Sequence, residues 1–527
     1  MYITQYLHRA LQQKPDATAI RGGTHKLTFR QLADRVARLA AALRSLGMGA
    51  GDRVAMLALN SERYLEYQFA VPWGGGVLNP CNIRWSAAEL AYSLNDSESA
   101  LLIVDDAFLP LADALRREVS SLRAVIYAGE GVPPEGVSGY EALIGSHAPM
   151  DDAVRRGGEL AGVFYTGGTT GFPKGVMLSH TNLCSSALAI VGEGLAPPGS
   201  TYLHAAPMFH LADMGFSMAH LAQGSCHAFV RAFRPDSVLD AIERERVTHT
   251  IIVPTMVHML IEQLAVTPAR DLSSLRVLSY GAAPMSETLL NRASAALPHV
   301  QLVQAYGMTE LAPLATINPA GSYGEQGRAR GLHRATGRAS LCVELRIVSA
   351  DDREVPRGTV GEVAVRGPNV MLGYWKQPRA TEQSLRGGWM HTGDAAYMDD
   401  DGFIYVVDRL KDMIISGGEN IYSAEVENAL AQHPSVSMSA VIGIPDPLWG
   451  ERVHAVVVLR NGAVATADDL GSHCRALIAG YKCPRSVEFV DALPMSGAGK
   501  ILKAELRERA RGVKTTSVPG RARDQLT

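Results

Sequence analysis

The sequence carries no surplus of positive charge, no clustered cysteines and no long apolar run, and each absence removes a class of function. Lys plus Arg (50) nearly balance Asp plus Glu (53) over 527 residues, which leaves no basic excess to hold a nucleic-acid backbone. The six cysteines (Cys81, Cys184, Cys226, Cys342, Cys474, Cys483) stand singly, without the C-x-x-C spacing of a zinc site or a redox pair. No stretch approaches the roughly 18 apolar residues of a membrane span. The N-terminus MYITQYLHRALQQKPDATAI is polar throughout and lacks the apolar segment of a signal peptide. Internal repeats and low-complexity segments are missing as well. These absences predict a reduced, cytoplasmic protein without a transmembrane segment. With 47% hydrophobic and 20% charged residues it is globular in composition, and its length exceeds what one core usually supports, so two or more domains are expected.

What is present is an alternation. LTFRQLADRVARLAAALRSLG sets Phe29, Leu32, Val36, Leu39 and Leu43 at spacings of three and four, one stripe of a helix. Thr28 and Gln31 suit a capping box and Gly47 a C-terminal stop. GDRVAMLAL follows as a strand, and ALLIVDD, RAVIYAG, AGVFYT, TYLHAAP, THTIIVPT, LRVLSYG and VQLVQAYG are further apolar runs of strand length. Such alternation predicts an α/β fold with mostly parallel sheets flanked by helices. Ligand sites are then expected outside the carboxyl ends of the strands, where TGGTTG, APMFH, VPTM, YGAAPM and AYGMTE fall. After about residue 335, VELRIV and GEVAVRG suggest a small, antiparallel, barrel-like part. VVDRLKDMIISGGENIYSAEVENAL marks a boundary, with a new helix near Ser423. The expected division is residues 1–408 as the large domain and 409–527 as a small α+β lid.

YTGGTTGFPKGV, Tyr165 to Val176, is too poor in apolar side chains to build core. It is not a Walker A loop: Lys174 follows Phe172 and Pro173 and precedes Gly175. SGAGKIL fails likewise, with Pro494 in place of the first glycine and Ile501 in place of the hydroxyl. The G-x-G-x-x-G of kinases is absent from both loops. Glycine N–H groups, threonine hydroxyls and one lysine can nevertheless cradle an anion. Composition alone leaves that reading and an exposed turn equally open.

The order of residues adds more. YTGGTTGFPKGV resembles the phosphate loop of the adenylate-forming superfamily, which contains acyl-CoA synthetases, beetle luciferases and peptide-synthetase adenylation domains. Gly167 stands where many relatives carry Ser. YGMTE, GEVAVRGPNVMLGYW, GWMHTGD, DRLKDMIISGGENIYSAEVE and PMSGAGKILKAELR resemble further motifs of the family, in its order, up to residue 507.

The resemblance implies that a carboxylic acid is joined to ATP with Mg²⁺, giving an acyl-adenylate and pyrophosphate, and that the acyl group then passes to a thiol. It implies a pyrophosphate grip by Thr166, Gly167, Gly168, Thr169, Thr170, Gly171 and Lys174. Adenine and acyl pockets are lined by Gly281, Ala282, Ala283, Gln304, Ala305, Tyr306, Gly307 and Met308. Thr309 offers a hydroxyl to the α-phosphate, and Glu310, with Thr170, is the expected Mg²⁺ ligand. Thr309 and Glu310 also suit the first turn of a capped helix. Asp394 takes the ribose hydroxyls, Arg409 reaches ribose and phosphate, and Lys500 sits between the acid and the α-phosphate. Lys411 resembles a hinge about which the small domain turns for the second step. Gly417 and Gly418 then leave room for the pantetheine arm, with Trp449 and Arg485 near the CoA nucleotide.

The choice of acid rests on PMFHLADMG. Amino-acid-activating relatives place Asp in the slot held here by His210; a histidine resembles acyl- and aryl-CoA ligases, where it gates the acid pocket. Phe209, His210, Leu211, Ala212, Thr255, Met256, Met308 and Leu311 are expected to line that pocket, and Asp213 is expected at the surface or in a helix cap. CoA is the expected acceptor, since no carrier-protein module follows Lys500. A medium- or long-chain fatty acid ranks first, an aryl or hydroxycinnamic acid second. A stand-alone ligase for a carrier protein and an inactive nucleotide-binding protein rank below. The partners expected are the acid and CoA, and the sequence is compatible with peripheral membrane contact and with a homodimer.

Overall fold

The computed structural model describes residues 1–22, 26–166, 173–497, 499–510 and 512. Helix and strand signals become elements largely where the sequence puts them. Helix Phe29–Ser45 starts on a Thr28/Gln31 capping box, and the chain turns away at Gly47 with φ +94°. Strands Arg53–Leu57, Ser99–Val104 and Ala124–Tyr127 pair in parallel, and their near-continuous apolar runs are buried on both faces as covered parallel strands must be.

Two large sheets dominate. Among the described residues one has eight strands and includes Val77–Pro80, Leu160–Thr166 and Lys174–Ser179; the other has nine and includes Thr201–His204, His249–Ile252, Val277–Gly281 and Gln301–Gly307. They share one core: Met56 and Ile103 of the first sheet cluster with Ile251 and Val303 of the second, together with Phe69, Met214 and Phe216 from helices. Helices Glu62–Trp73 and Leu211–Ala222 are buried on nearly every side, as helices enclosed by other layers must be. The glycine-rich stretch departs from a parallel arrangement. Leu160–Thr166 pairs antiparallel with Lys174–Ser179, Thr166 opposite Lys174, so a strand rather than the helix of a Walker loop follows it. Gly167, Gly168, Thr169, Thr170 and Gly171, to which the phosphate and metal expectations attach, lie outside the described residues.

The barrel-like part is a four-stranded antiparallel sheet of Glu344–Val348, Gly361–Arg366, Met390–Met398 and Ile404–Arg409. After the turn at 410–413 a separate sheet begins at Ile414–Ser416, with Gly450–Leu459 paired to Val436–Asp446 and, in parallel, to Ser486–Phe489. Helices Ser423–Ala431 and Ala467–Leu477 pack on it around a core of its own, with Ile414, Val426, Val453 and Leu470. Helix Lys503–Ala510 closes its other face through Leu506, Ala440 and Val456. Among the described residues, no helix is long and apolar enough to cross a membrane.

Candidate active site

The cleft is floored by two parallel strand ends. Val277–Gly281 runs beside Gln301–Gly307 with Gly281 opposite Ala305, and Ala282 then turns at φ +68° to place Ala283 beyond the tip. Gly307 admits no side chain, because a Cβ there would strike the carbonyl of Pro313. Thr309 and Glu310 do not begin a capped helix as the sequence suggested. They form a three-residue 3₁₀ turn, Thr309–Leu311, without a side-chain cap. Ala312 then takes φ +56° and the chain returns as the antiparallel strand Leu314–Asn318, which leaves no room for a helix. Gln304 accepts a hydrogen bond from Tyr280 at 3.3 Å.

Two sheets converge on one carboxylate. Tyr306 donates its hydroxyl to Asp394 Oδ2 at 2.7 Å, and Arg409 Nε lies 3.1 Å from Asp394 Oδ1. Burial and the Asp394 charge hold the Tyr306 phenol far above its ordinary value, so it remains a donor. Glu310 is 6% exposed and accepts from Tyr374 at 2.8 Å, and burial raises its pKa. Lys174 Nζ stands 5.1 Å above the Tyr374 ring, so Tyr374 couples the lysine flanking the glycine-rich stretch to Glu310.

Lys500 enters from the small domain. Its loop is pinned by Ser496, whose N–H donates to the Lys500 carbonyl at 2.7 Å while its Oγ accepts from the Lys500 N–H at 3.1 Å. The loop docks on the large domain: Thr255 donates to the Gly499 carbonyl at 3.0 Å and Arg84 to the Ser496 carbonyl at 3.2 Å. Burial first, then Arg409 and Lys411, push the ammonium down to about 8 against the pull of Asp394 and Glu310. Lys411 is depressed in turn by desolvation and Arg409. Three cations thus gather around Asp394 and Glu310, an arrangement that suits a polyphosphate, with Arg409 and Lys411 still open to solvent. His210 borders the same space: burial, then Lys500 and Arg84, lower its imidazole to about 3. Its Nε2 is sealed from water with no partner among the described residues, and its ring centroid lies 4.1 Å from that of Phe209.

Gly417, Gly418 and Trp449 form a separate cluster. The two glycines, at φ +62° and +85°, make the tight turn between Ile414–Ser416 and Glu419–Ile421, a geometry that needs positive φ twice. Gly417 donates its N–H to the Trp449 carbonyl at 2.8 Å, and the Arg485 guanidinium lies 4.8 Å over the exposed indole. The GGEN turn is exposed in this arrangement, in which Lys500 occupies the cleft.

Residues 7–375 match the AMP-binding enzyme family, and residues 425–500 match the AMP-binding enzyme C-terminal domain. The chain belongs to the adenylate-forming AMP-binding enzymes. It is similar to a feruloyl-CoA synthase of an Amycolatopsis species, 42% identical over 507 residues that cover 95% of this chain and 97% of the relative. It is also similar to a long-chain-fatty-acid–CoA ligase of Thermus thermophilus, 37% identical with 93% and 91% covered. The solved structure of the anthranilate CoA ligase AuaEII in complex with anthranoyl-AMP superposes with a TM-score of 0.90 at 28% identity, covering 97% of each chain. This AMP-binding enzyme is an acid–CoA ligase of the AMP-forming type, and the α/β architecture with its smaller C-terminal domain is that of the family.

Sequence reasoning passed over two residues of this AMP-binding enzyme's cleft, Tyr374 and Arg84, and gave Thr255 a place in the acid pocket rather than at the domain contact. Tyr374 stands next to last in the GEVAVRGPNVMLGYW motif, and its place beside Gly373 in that motif is the signal that could have found it. Arg84 and the docking contact of Thr255 carried none, because they act across domains. Asp213 is corrected: it is neither at the surface nor a cap. It has no exposed surface and is bonded to Tyr202 and His204.

Proposed function

We propose that the enzyme activates an aryl-substituted acid of the hydroxycinnamic type with ATP and transfers it to CoA. The reading rests first on the 42% identity, over nearly both whole chains, to a protein named feruloyl-CoA synthase. It agrees with His210, a neutral imidazole with a free, buried nitrogen beside Phe209. Such a pocket wall takes a flat ring and offers one polar contact to an acid. The fatty-acid expectation, which the sequence ranked first, is the second reading, supported by the 37% identical long-chain ligase.

In this reading Asp394 holds the ribose hydroxyls with Tyr306 and Arg409 as its supports, and Thr309 and Lys174 meet phosphates. Lys500 stands between the acid carboxylate and the α-phosphate, where a fixed cation offsets the repulsion of two anions and stabilises charge developing as they react. Among the described residues no group of three or more His, Cys, Asp or Glu side chains is arranged to hold a metal. Glu310 would therefore hold Mg²⁺ together with substrate phosphates, the usual habit of that ion. The lid of residues 409–527 would turn about Lys411, carrying Lys500 out and the Gly417–Trp449 cluster in for the thiol step.

The test is acid-dependent AMP release in the presence of CoA, run with ferulic, coumaric, benzoic and anthranilic acids, saturated fatty acids of increasing length, and amino acids. The highest kcat/KM is expected on a hydroxycinnamic acid. A fatty acid in that place would overturn the substrate reading and leave the ligase chemistry standing.

A further inference from the structure

Asp213 is a carboxylate with no exposed surface, a position that costs several kcal/mol unless its oxygens are met. They are met on one side. Tyr202 donates its O–H to Oδ1 at 2.9 Å, and His204 Nδ1 lies 2.7 Å from Oδ2. His204 Nε2 lies 3.0 Å from Nδ1 of the buried His227. A carboxylate only accepts, so His204 meets Asp213 with an N–H at Nδ1. Tyr202, His204 and His227 thus form one connected buried network on Asp213.

This network spans the segment that carries His210. Tyr202 and His204 belong to strand Thr201–His204, and Asp213 sits in the first turn of helix Leu211–Ala222. The connection between them is gripped from the other side by Asn60, which donates to the carbonyls of His204 at 3.2 Å and Ala206 at 2.9 Å and accepts from the Met208 N–H at 2.8 Å. The backbone of His210 is held as well, its N–H donating to Pro207 at 3.0 Å and its carbonyl accepting from Met214 at 3.2 Å. Its buried Nε2 is left without a partner among the described residues. The main chain that carries the imidazole is thus held on both sides.

We propose that Asp213 is a positioning residue for His210: by bonding the first helical turn to Tyr202 and His204 it fixes where the His210 ring stands in the acid pocket. The inference rests on the reading of His210 as acid-facing. Both Asp213 oxygens are taken by the strand, so it does not touch the substrate.

The experiment is a double-mutant cycle of His210→Ala and Asp213→Asn, with KM for ferulic acid, or the best acid of the panel above, and KM for ATP measured separately by pyrophosphate exchange. Asp213→Asn keeps the shape but cannot accept from both donors as a carboxylate does. It is expected to raise the acid KM about tenfold, the scale of a lost hydrogen bond to a charged group, with the ATP KM unchanged. The double variant is expected to match His210→Ala alone, because the loss passes through that ring. Multiplied effects, equal rises in both KM values, or no effect of Asp213→Asn beside a damaged His210→Ala would overturn the positioning role and spare the His210 reading. A His210→Ala enzyme with normal acid KM would overturn the His210 reading, and the proposal with it. Tyr202→Phe, which removes one donor and little volume, repeats the cycle if Asp213→Asn does not fold.

Discussion

Tyr306 and Asp394 join two sheets by a hydrogen bond of 2.7 Å, the tyrosine at the end of strand Gln301–Gly307 and the aspartate in strand Met390–Met398. The bond aims one carboxylate oxygen, and Arg409 at 3.1 Å aims the other, so Asp394 enters the cleft in a fixed orientation. A nucleotide site built this way should fail by stages.

Asp394→Ala is expected to lower kcat/KM for ATP at least about 100-fold, since it removes the acceptor and leaves Arg409 unpaired beside two other cations. Tyr306→Phe should cost only about 0.5–1.5 kcal/mol, the worth of one supporting hydrogen bond, and should leave the acid KM unchanged. Pyrophosphate exchange at varied ATP and varied acid separates the two parameters. Equal damage from both variants would show that the tyrosine does more than orient the aspartate.

The fold was legible wherever period and capping agreed, as in helix Phe29–Ser45 with its Thr28/Gln31 box. It was less so at the strand ends. YGMTE reads locally as a strand followed by a helix start, and the structure makes a single 3₁₀ turn because strand Leu314–Asn318 must return beside Gln301–Gly307. Nothing in five residues announces that pairing. The candidate site residues stood out through motif order, but their supports did not: Tyr374 lies sixty-four positions from Glu310, and Arg84 lies 412 from Ser496. Asp213 misled for the same reason, since a carboxylate in a helical first turn usually faces water unless distant donors meet it.

Lys500 gives the pH dependence its sign. Its ammonium is pushed down to about 8 by burial and neighbouring cations, and in the role proposed for it only the protonated form would offset the charge of two reacting anions. Adenylation measured as kcat/KM should therefore fall as pH rises through about 8, with one proton lost. Lys500→Arg should remove that falling limb while retaining part of the rate, because a guanidinium stays charged. Lys500→Ala should lower adenylation at least about 100-fold at every pH. A falling limb that survives Lys500→Arg would assign it to another group.

Buried imidazoles set a limit on the acid side. Burial lowers His180 and His249 to about 4 and His210 to about 3, and holds His220 and His227 well below 6.5. The unfolded chain binds protons on these groups near 6.5 while the folded chain does not, so stability is present above that pH and lost as pH falls below it. Each such imidazole withdraws about 1.4 kcal/mol by pH 5.5. The thermal midpoint should drop between pH 7 and 5.5, and a smaller drop is expected for His220→Gln. An unchanged midpoint across that interval would contradict neutral burial.

The docked arrangement predicts opposite signatures for two substitutions. Thr255 holds the Gly499 carbonyl at 3.0 Å in the arrangement that brings Lys500 to Asp394 and Glu310, so Thr255→Val should slow adenylation by a factor of about 3–10, the range for one hydrogen bond. It should leave thioester formation from preformed acyl-adenylate intact, since in the proposed domain rotation that step follows release of the loop. Lys411→Pro acts the other way. It fixes φ in the turn between Arg409 and Ile414, the short connection to the small domain. Adenylation, which needs only the arrangement already formed, should survive, and transfer to CoA should fall by tenfold or more on the scale of a blocked domain rotation, about 1.4 kcal/mol per decade. Single-turnover assays of the two half-reactions decide between them. Equal loss in both halves for Lys411→Pro would place the pivot elsewhere in the chain.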